Sequence, residues 1–265
     1  MSSPTPHEPR VGIVIPALDE EAALPAVLAT IPLALVTAVV VVDNGSRDRT
    51  AERAREGGAV VLAEARRGYG SACQKGLSWL FGREPDSPQR AWAGRDIVVF
   101  LDADGSDAPE ELARLVDPIL RGEAEVVIGS RVLGGAGRGV LTPQQRFGNA
   151  LACGLMRLFF GARHTDLGPF RAIRADALAH LDLCDRDYGW TVELQLKSAV
   201  AGLRVLEIPV RARARTGGQS KISGTLLGSL RAGAKILGWV LGWRVALWFT
   251  SRRIPRFPRS AHSGC

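Results

Sequence analysis

Cysteine and histidine are scarce, with four of each in 265 residues. Cys73, Cys153, Cys184 and Cys265 show no C-x-x-C spacing, and His7, His164, His180 and His262 are dispersed. This excludes a recognisable zinc site or disulfide framework, and reduced thiols in a cytoplasmic protein are the expectation. Long apolar runs are also missing. Thr225 to Thr250 is the most apolar stretch, but Arg231, Lys235 and Arg244 interrupt it. It falls short of the ~20 uninterrupted residues of a membrane span. Met1 to Arg10 is polar and carries prolines, so it lacks the apolar core of a signal peptide and reads as a loose tail. No internal repeat of fixed period is present.

Positive charge is abundant, with a formal net charge of +7. Arg252, Arg253, Arg256 and Arg259 concentrate part of it near the C-terminus. A basic balance fits acidic partners such as nucleotide phosphates, anionic lipid or nucleic acid. No recognised nucleic-acid module accompanies it, so nucleic acid is not expected as a partner.

Apolar runs alternate with helical patterns through the first half. Strands are predicted over Val11–Pro16, Thr37–Val42, Ala59–Leu62, Ile97–Leu101 and Glu125–Ile128. Helices are predicted over Glu20–Thr30, Arg47–Gly57, Tyr69–Phe81 and Pro109–Arg121. This rhythm predicts an α/β fold with a mostly parallel sheet covered on both faces. Arg83–Arg95 and Leu133–Pro143 read as loops. Gln144–Phe160 reads as helix, Asp166–Ile173 as extended, Thr191–Val200 as helix, Val205–Val210 as strand and Arg211–Lys221 as a basic loop.

In such sheets ligands bind beyond the carboxyl ends of the strands. Polar residues gather there: Asp19 and Glu20, then Asp43 to Ser46, then Asp102, Ala103 and Asp104, then Ser130 and Arg131. Two carboxylates two residues apart at a strand end can both reach one hard cation, which prefers oxygen ligands and shares substrate phosphates. The same acids can instead cap the helix that starts near Pro109. Asp43 to Ser46 reads equally as a turn with a helix cap or as an acid that accepts hydrogen bonds from a base or ribose.

Taken in order, the segments IPALDEE (Ile15–Glu21), VVVVDNGSRDRT (Val39–Thr50), RRGYGSAC (Arg66–Cys73), VFLDADGSDAPEEL (Val99–Leu112), VIGSR (Val127–Arg131), TPQQRFGNAL (Thr142–Leu151), DLGPFRAIRADAL (Asp166–Leu178), YGWTVELQLKSA (Tyr188–Ala199) and GGQSK (Gly217–Lys221) form a specific set. With them the chain resembles glycosyltransferase family 2, in its dolichyl-phosphate mannose synthase-like, polyprenyl-phosphate branch. The resemblance runs from Val11 to about Trp239. It implies the GT-A fold, a Rossmann-like nucleotide-diphospho-sugar transferase architecture.

It also implies roles. Pro16, Ala17 and Glu20 would line the nucleotide pocket, with Gly70 and Ala103 beside it. Asp43 and Asn44 would contact base or ribose. Asp102 and Asp104 would hold Mg²⁺ or Mn²⁺ against the diphosphate. Arg131 would face a donor or acceptor phosphate, a task suited to a guanidinium. Arg215, Ser220 and Lys221 would close over phosphates. Asp166 and Glu193 are candidate general bases for a hydroxyl acceptor; a phosphate acceptor, already ionised, needs none. Departures from the family pattern are Asp19 for the common Asn, Asn44 for a second acid, and Ser106 for a Gln near the metal; they bear on the donor and the metal shell. Val11–Glu21 has no Gly-rich phosphate loop, which sets a nucleotidyltransferase apart.

The expected organisation is a tail at 1–10, a catalytic domain at 11–221, amphipathic helices at 222–250 and a basic tail at 251–265. Leu226, Leu230, Leu237 and Leu241 share one helical face opposite Arg231 and Lys235, followed by Trp239, Trp243 and Trp248. That pattern suits a helix lying on an anionic membrane surface, or packed on the domain or a second subunit. The expected activity is inverting transfer of a hexose, from a UDP-glucose or GDP-mannose type donor, to polyprenyl or dolichyl phosphate. Its expected place is the cytoplasmic inner face of the cell membrane, held peripherally. The alternatives are a soluble hydroxyl acceptor and a non-catalytic nucleotide-sugar-binding subunit.

Overall fold

A computed structural model describes residues 8–135, 140–215, 238, 242 and 256–258. Ser220, Lys221 and most of the expected amphipathic helix lie outside them. The described chain runs β1 (Val11–Ala17), α1 (Leu24–Thr30), β2 (Ala38–Asp43), α2 (Thr50–Glu56), β3 (Val60–Ala63), α3 (Tyr69–Leu80) and β4 (Ile97–Phe100). It continues through α4 (Leu112–Leu120), β5 (Val126–Ser130), α5 (Pro143–Phe160), β6 (Arg171–Arg174), α6 (Ala175–Leu181), α7 (Trp190–Ala201) and β7 (Val205–Pro209).

The strands form one sheet in the order β3-β2-β1-β4-β6-β5-β7. Every pair is parallel except those of β6, which runs antiparallel between β4 and β5. The central strands are β-branched runs buried on both sides, as a sheet covered on two faces requires. Ile13, Ile15, Val41, Val99 and Val127 face a core closed by α1, α2 and α4. Val14, Val40, Val42, Val98 and Ile128 face the other, closed by α3, α6 and α7. The alternation along each strand assigns its side chains to the two layers. Trp190 belongs to that second core, its ring edge-on to Phe100 with centroids 6.0 Å apart.

Helix α5 begins at a reciprocal cap. The Thr142 hydroxyl accepts from the Gln145 N–H, and the Gln145 side chain accepts from the Thr142 N–H. Pro143 supplies the first helical residue and Gly161, at φ 68°, ends the helix in the left-handed region. A small cluster of Cys153, Met156, Val192 and Leu196 packs α5 on α7. The opposite face of α5 stays apolar yet exposed, with Phe147 71% and Leu158 73% accessible and Leu151 between them.

Candidate active site

The parallel strands carry their polar residues to one sheet edge. The register sets Ala17 beside Asp43, and the Asn44 N–H donates to the Ala17 carbonyl at 2.9 Å. Pro16 and Ala17 therefore form the edge next to Asp43, with Ala17 buried and Pro16 half-buried. Asp43 accepts from the Ser46 N–H at 3.0 Å, the turn closing on itself. Glu20 is tied to the first residue of α2 through its backbone, donating its N–H to the Thr50 hydroxyl at 2.7 Å. Asp19 sits at φ 51° and accepts from the Arg47 N–H at 2.7 Å. Asn and Asp tolerate that conformation best, so the departure from Asn keeps the local geometry.

Asn44 and Gly70 are both held by the fold around the loop between β3 and α3. The Asn44 amide is 5% exposed and fully used. Its Nδ2 donates to the carbonyls of Glu64 and Arg66 at 3.0 and 2.8 Å, and its Oδ1 accepts from the Gly68 N–H at 2.8 Å. It fastens the loop between β3 and α3 instead of facing a ligand. An acid here would turn a carboxylate oxygen toward two carbonyls, which explains why this chain carries an amide. Asn44→Asp is expected to cost about 1–3 kcal/mol of unfolding free energy. Urea unfolding checks this, and an unchanged midpoint would sink the account. Gly70 meets backbone: a Cβ there would sit 2.2 Å from the Asp185 carbonyl oxygen. Its role is this close approach between α3 and the 182–187 loop.

The loop after β4 gathers the carboxylates. Asp104 and Asp107 are each 3% exposed, and Ala103 is buried between the first two acids. Asp107, which sequence reading did not single out, accepts from the Asp102 N–H at 3.2 Å. Asp104 accepts from the Ser106 N–H at 2.8 Å and from Arg215 Nη2 at 2.7 Å. Burial, and then the charges of Asp104 and Asp107, push the Asp102 carboxyl well above its ordinary range. Burial pushes Asp107 up to about 7, against the pull of the Asp102 N–H and Arg131. Tyr69, at the start of α3, and Arg215 pull the Asp102 carboxyl the other way. Burial, then the charge on Asp102, raises the Tyr69 phenol well above its usual range. One buried oxygen of Asp102, Oδ1, has no hydrogen-bond partner.

This arrangement fits a hard cation. Three crowded carboxylates leave negative charge short of compensation, and an orphaned carboxylate oxygen is the ligand type such an ion takes. Among the described residues, no group of three or more His, Cys, Asp or Glu could hold a metal by itself. A cation here would rest on Asp102 and Asp104 and complete its shell with substrate oxygens or water.

Arg131 directly follows β5, with its charge felt at Asp107 of this loop. Its Nε and Nη2 each donate to Asp166 at 2.9 Å, and its backbone N–H donates to the same carboxylate at 2.8 Å. Burial opposes the guanidinium charge, but Asp166, Asp107 and Asp102 hold its pKa above the usual range. Asp166 is 0% exposed with both oxygens committed to Arg131. That geometry makes it a partner that fixes the Arg131 guanidinium. Glu193 is likewise 0% exposed. It accepts from the N–H groups of Cys184 and Asp185 and pairs with Lys197 at 2.8 Å. Its carboxylate holds the 182–187 loop against α7. Both acids are buried and engaged by neighbouring groups.

Arg171 was also missed. Its guanidinium is 1% exposed and donates to the carbonyls of Leu167, Gly168 and Thr191. The nearby negative groups include Asp166 and Asp102, so it supplies positive charge behind the site. The His164 imidazole, buried with neither ring nitrogen partnered, is held neutral by burial, its pKa lowered to about 4.

An open-edged parallel sheet with acids and one arginine at the carboxyl ends of its strands defines a GT-A, nucleotide-diphospho-sugar transferase fold. Residues 12–182 match the family described as glycosyl transferase family 2, and the chain belongs to it. A glycosyltransferase of Mycobacterium tuberculosis is 39% identical over 223 residues, 84% of this chain and 94% of that protein. The undecaprenyl-phosphate mannosyltransferase of Micrococcus luteus is 34% identical over 247 residues, 89% of this chain and 96% of that protein. The branch the motifs resemble is the one in which this second relative falls. Among solved structures, glucosyl-3-phosphoglycerate synthase from Mycobacterium tuberculosis, with Mn²⁺, UDP-glucose and phosphoglyceric acid, is similar at a TM-score of 0.66. It is 25% identical, covering 89% of this chain and 80% of that one.

Proposed function

We propose that the protein transfers a hexose, with inversion, from a UDP-glucose or GDP-mannose type donor to a polyprenyl or dolichyl phosphate at a membrane surface. The observation that carries the acceptor is a guanidinium beside exposed apolar surface. Val132 and Leu133, directly after Arg131, are 47% and 48% exposed. On α5, Phe147, Ala150, Leu151, Gly154 and Leu158 fall on one exposed face at helical spacing. Asn149 ties that helix to the Asp166 segment, accepting from the Leu167 N–H at 2.8 Å and donating to the Thr165 carbonyl at 2.9 Å. A lipid phosphate matches both halves: its head suits Arg131 and its chain suits the apolar face. Basic Arg146 and Arg157 on the same helix suit anionic headgroups. No described helix is long and apolar enough to cross a membrane.

The reaction read from these residues is an attack by the acceptor phosphate oxygen on the anomeric carbon, opposite the departing nucleoside diphosphate. A phosphate acceptor is ionised at neutral pH and requires no base, consistent with the commitment of Asp166 and Glu193 elsewhere. Asp102 and Asp104 would hold Mg²⁺ or Mn²⁺, which supplies charge stabilisation for the leaving diphosphate. Pro16, Ala17, Glu20 and Asp43 would bind the nucleoside. Arg131 would orient the acceptor, and catalysis would rest on positioning and electrostatics. Arg215, with Ser220 and Lys221, would engage phosphates.

A second reading has support from the structural likeness to glucosyl-3-phosphoglycerate synthase, solved with a small soluble acid: the same chemistry on a soluble acceptor. The test is nucleoside diphosphate release from a panel of UDP- and GDP-sugars, with Mg²⁺ or Mn²⁺, with and without polyprenyl phosphate in vesicles. Release is expected to require both the lipid phosphate and the metal. Phe147→Asp with Leu158→Asp is expected to lower the vesicle rate by about tenfold or more while leaving a short-chain, water-soluble acceptor unaffected. Equal release without lipid would favour the soluble acceptor. Binding of donor with no turnover under any condition would favour a non-catalytic subunit.

A further inference from the structure

The segment after β7 is fastened to the carboxylate loop by a ladder of arginines. Val210 donates its N–H to the Ser130 carbonyl at 3.1 Å, and Arg213 donates its N–H to the Ser106 carbonyl at 2.9 Å. In extended chain, alternate side chains point the same way, and here alternate residues are Arg211, Arg213 and Arg215. Arg211 pairs with Glu111 at 3.1 Å and receives that carboxylate on its own N–H at 2.9 Å. Arg213 pairs with Glu110. Arg215 pairs with Asp104 at 2.7 Å. The three arginines thus run along acids of the stretch 104–111, and the last reaches the buried acid expected to bind metal.

We infer that Arg215 is the resident counter-ion of Asp104 and competes with the divalent cation for it. The inference rests on the metal reading above and deepens it. Asp104 is 3% exposed and stands in a cluster with Asp102 and Asp107, so a positive partner is required for its charge. Its Oδ1 is taken by the Ser106 N–H and its Oδ2 by Arg215. A cation that coordinates Asp104 sets two further positive charges beside the guanidinium, and that repulsion weakens the pair. The Arg215 side chain is 35% exposed, so it has solvent to withdraw into. Arg211 and Arg213 keep their own acids, so the displaced guanidinium stays tethered next to the metal. There it is placed for the bidentate hydrogen bonds that guanidinium forms with phosphate. The device keeps Asp104 paired when metal is absent and makes a phosphate-binding group available when metal arrives.

Competition has a signature that turnover does not supply. Mn²⁺ is titrated into the full-length protein without nucleotide, and free Mn²⁺ is read by electron paramagnetic resonance. Arg215→Ala is expected to lower the Mn²⁺ Kd by roughly fivefold. Arg215→Lys, which keeps the charge and loses the fork, should fall between it and the wild type. With Mn²⁺ saturating, Arg215→Ala should bind nucleoside diphosphate more weakly than wild type. Matching thermal midpoints for the variants exclude misfolding. An unchanged or raised Mn²⁺ Kd in Arg215→Ala overturns the competition and leaves the metal reading standing. Failure of wild type and both variants to bind Mn²⁺, or binding that survives Asp104→Ala, overturns both.

Discussion

Asp104→Ala is expected to lower the transfer rate by about 10²–10³-fold while hardly changing stability. The two effects separate because Asp104 is costly to keep and useful only with its ligand. The carboxylate is buried beside Asp102 and Asp107, and its ion pair with Arg215 is partly exposed on the arginine side. A pair of that exposure contributes about 1 kcal/mol or less. Removing Asp104 also relieves the repulsion that raises the Asp102 carboxyl. The thermal midpoint should therefore stay within a few degrees of wild type. Chelation of the metal from wild type should reproduce the rate loss, and the variant should be insensitive to chelator. A variant that keeps more than a tenth of the rate and still responds to Mn²⁺ would move the metal away from Asp104.

The parts legible in the sequence are those fixed by short-range pattern. Strands such as Ala38–Asp43 and Ile97–Phe100 are built on runs of Val and Ile, and acids stand at or just beyond their ends. Strand polarity then places Asp43, Asp102 and Arg131 on one edge with no further information. What was missed depends on partners far along the chain. The reading of Asp166–Ile173 as extended could not tell that β6 inserts antiparallel between β4 and β5. The short helix Ala175–Leu181 follows β6 without a connecting turn and was absorbed into one motif. Tyr69 and Arg171 enter the site through contacts across the fold. For Asp107 there was a local signal, a third acid five residues after Asp102. Arg211 meets Glu111 across 100 positions, a contact no spacing rule reports. The roles of Asp166 and Glu193 turned on burial, which residue type alone does not give.

Asp166→Ala should be the most destabilising single change in the site, at about 3–5 kcal/mol of unfolding free energy. Asp166 is fully buried, and Arg131 is 18% exposed at its side chain. Two parallel guanidinium hydrogen bonds and a backbone N–H converge on one carboxylate. Deleting it strands a desolvated positive charge and an unsatisfied N–H, and the damage spreads. The backbone of the same residue holds Gln195 through its carbonyl at 2.8 Å, and the adjoining Thr165 N–H donates to Glu207. Asp166→Asn keeps one acceptor oxygen and loses the charge, so its cost should be smaller but still measurable by urea unfolding. A general base would behave in the opposite way. Its Asn variant would fold as wild type, lose turnover, and shift the pH profile of the rate. If Asp166→Asn proves as stable as wild type and loses turnover by orders of magnitude, the carboxylate acts in proton transfer and a hydroxyl acceptor becomes the better reading. If stability falls as expected and the remaining activity tracks the folded fraction, Asp166 acts through Arg131, and an acceptor already ionised as phosphate accounts for why no base is held at that position.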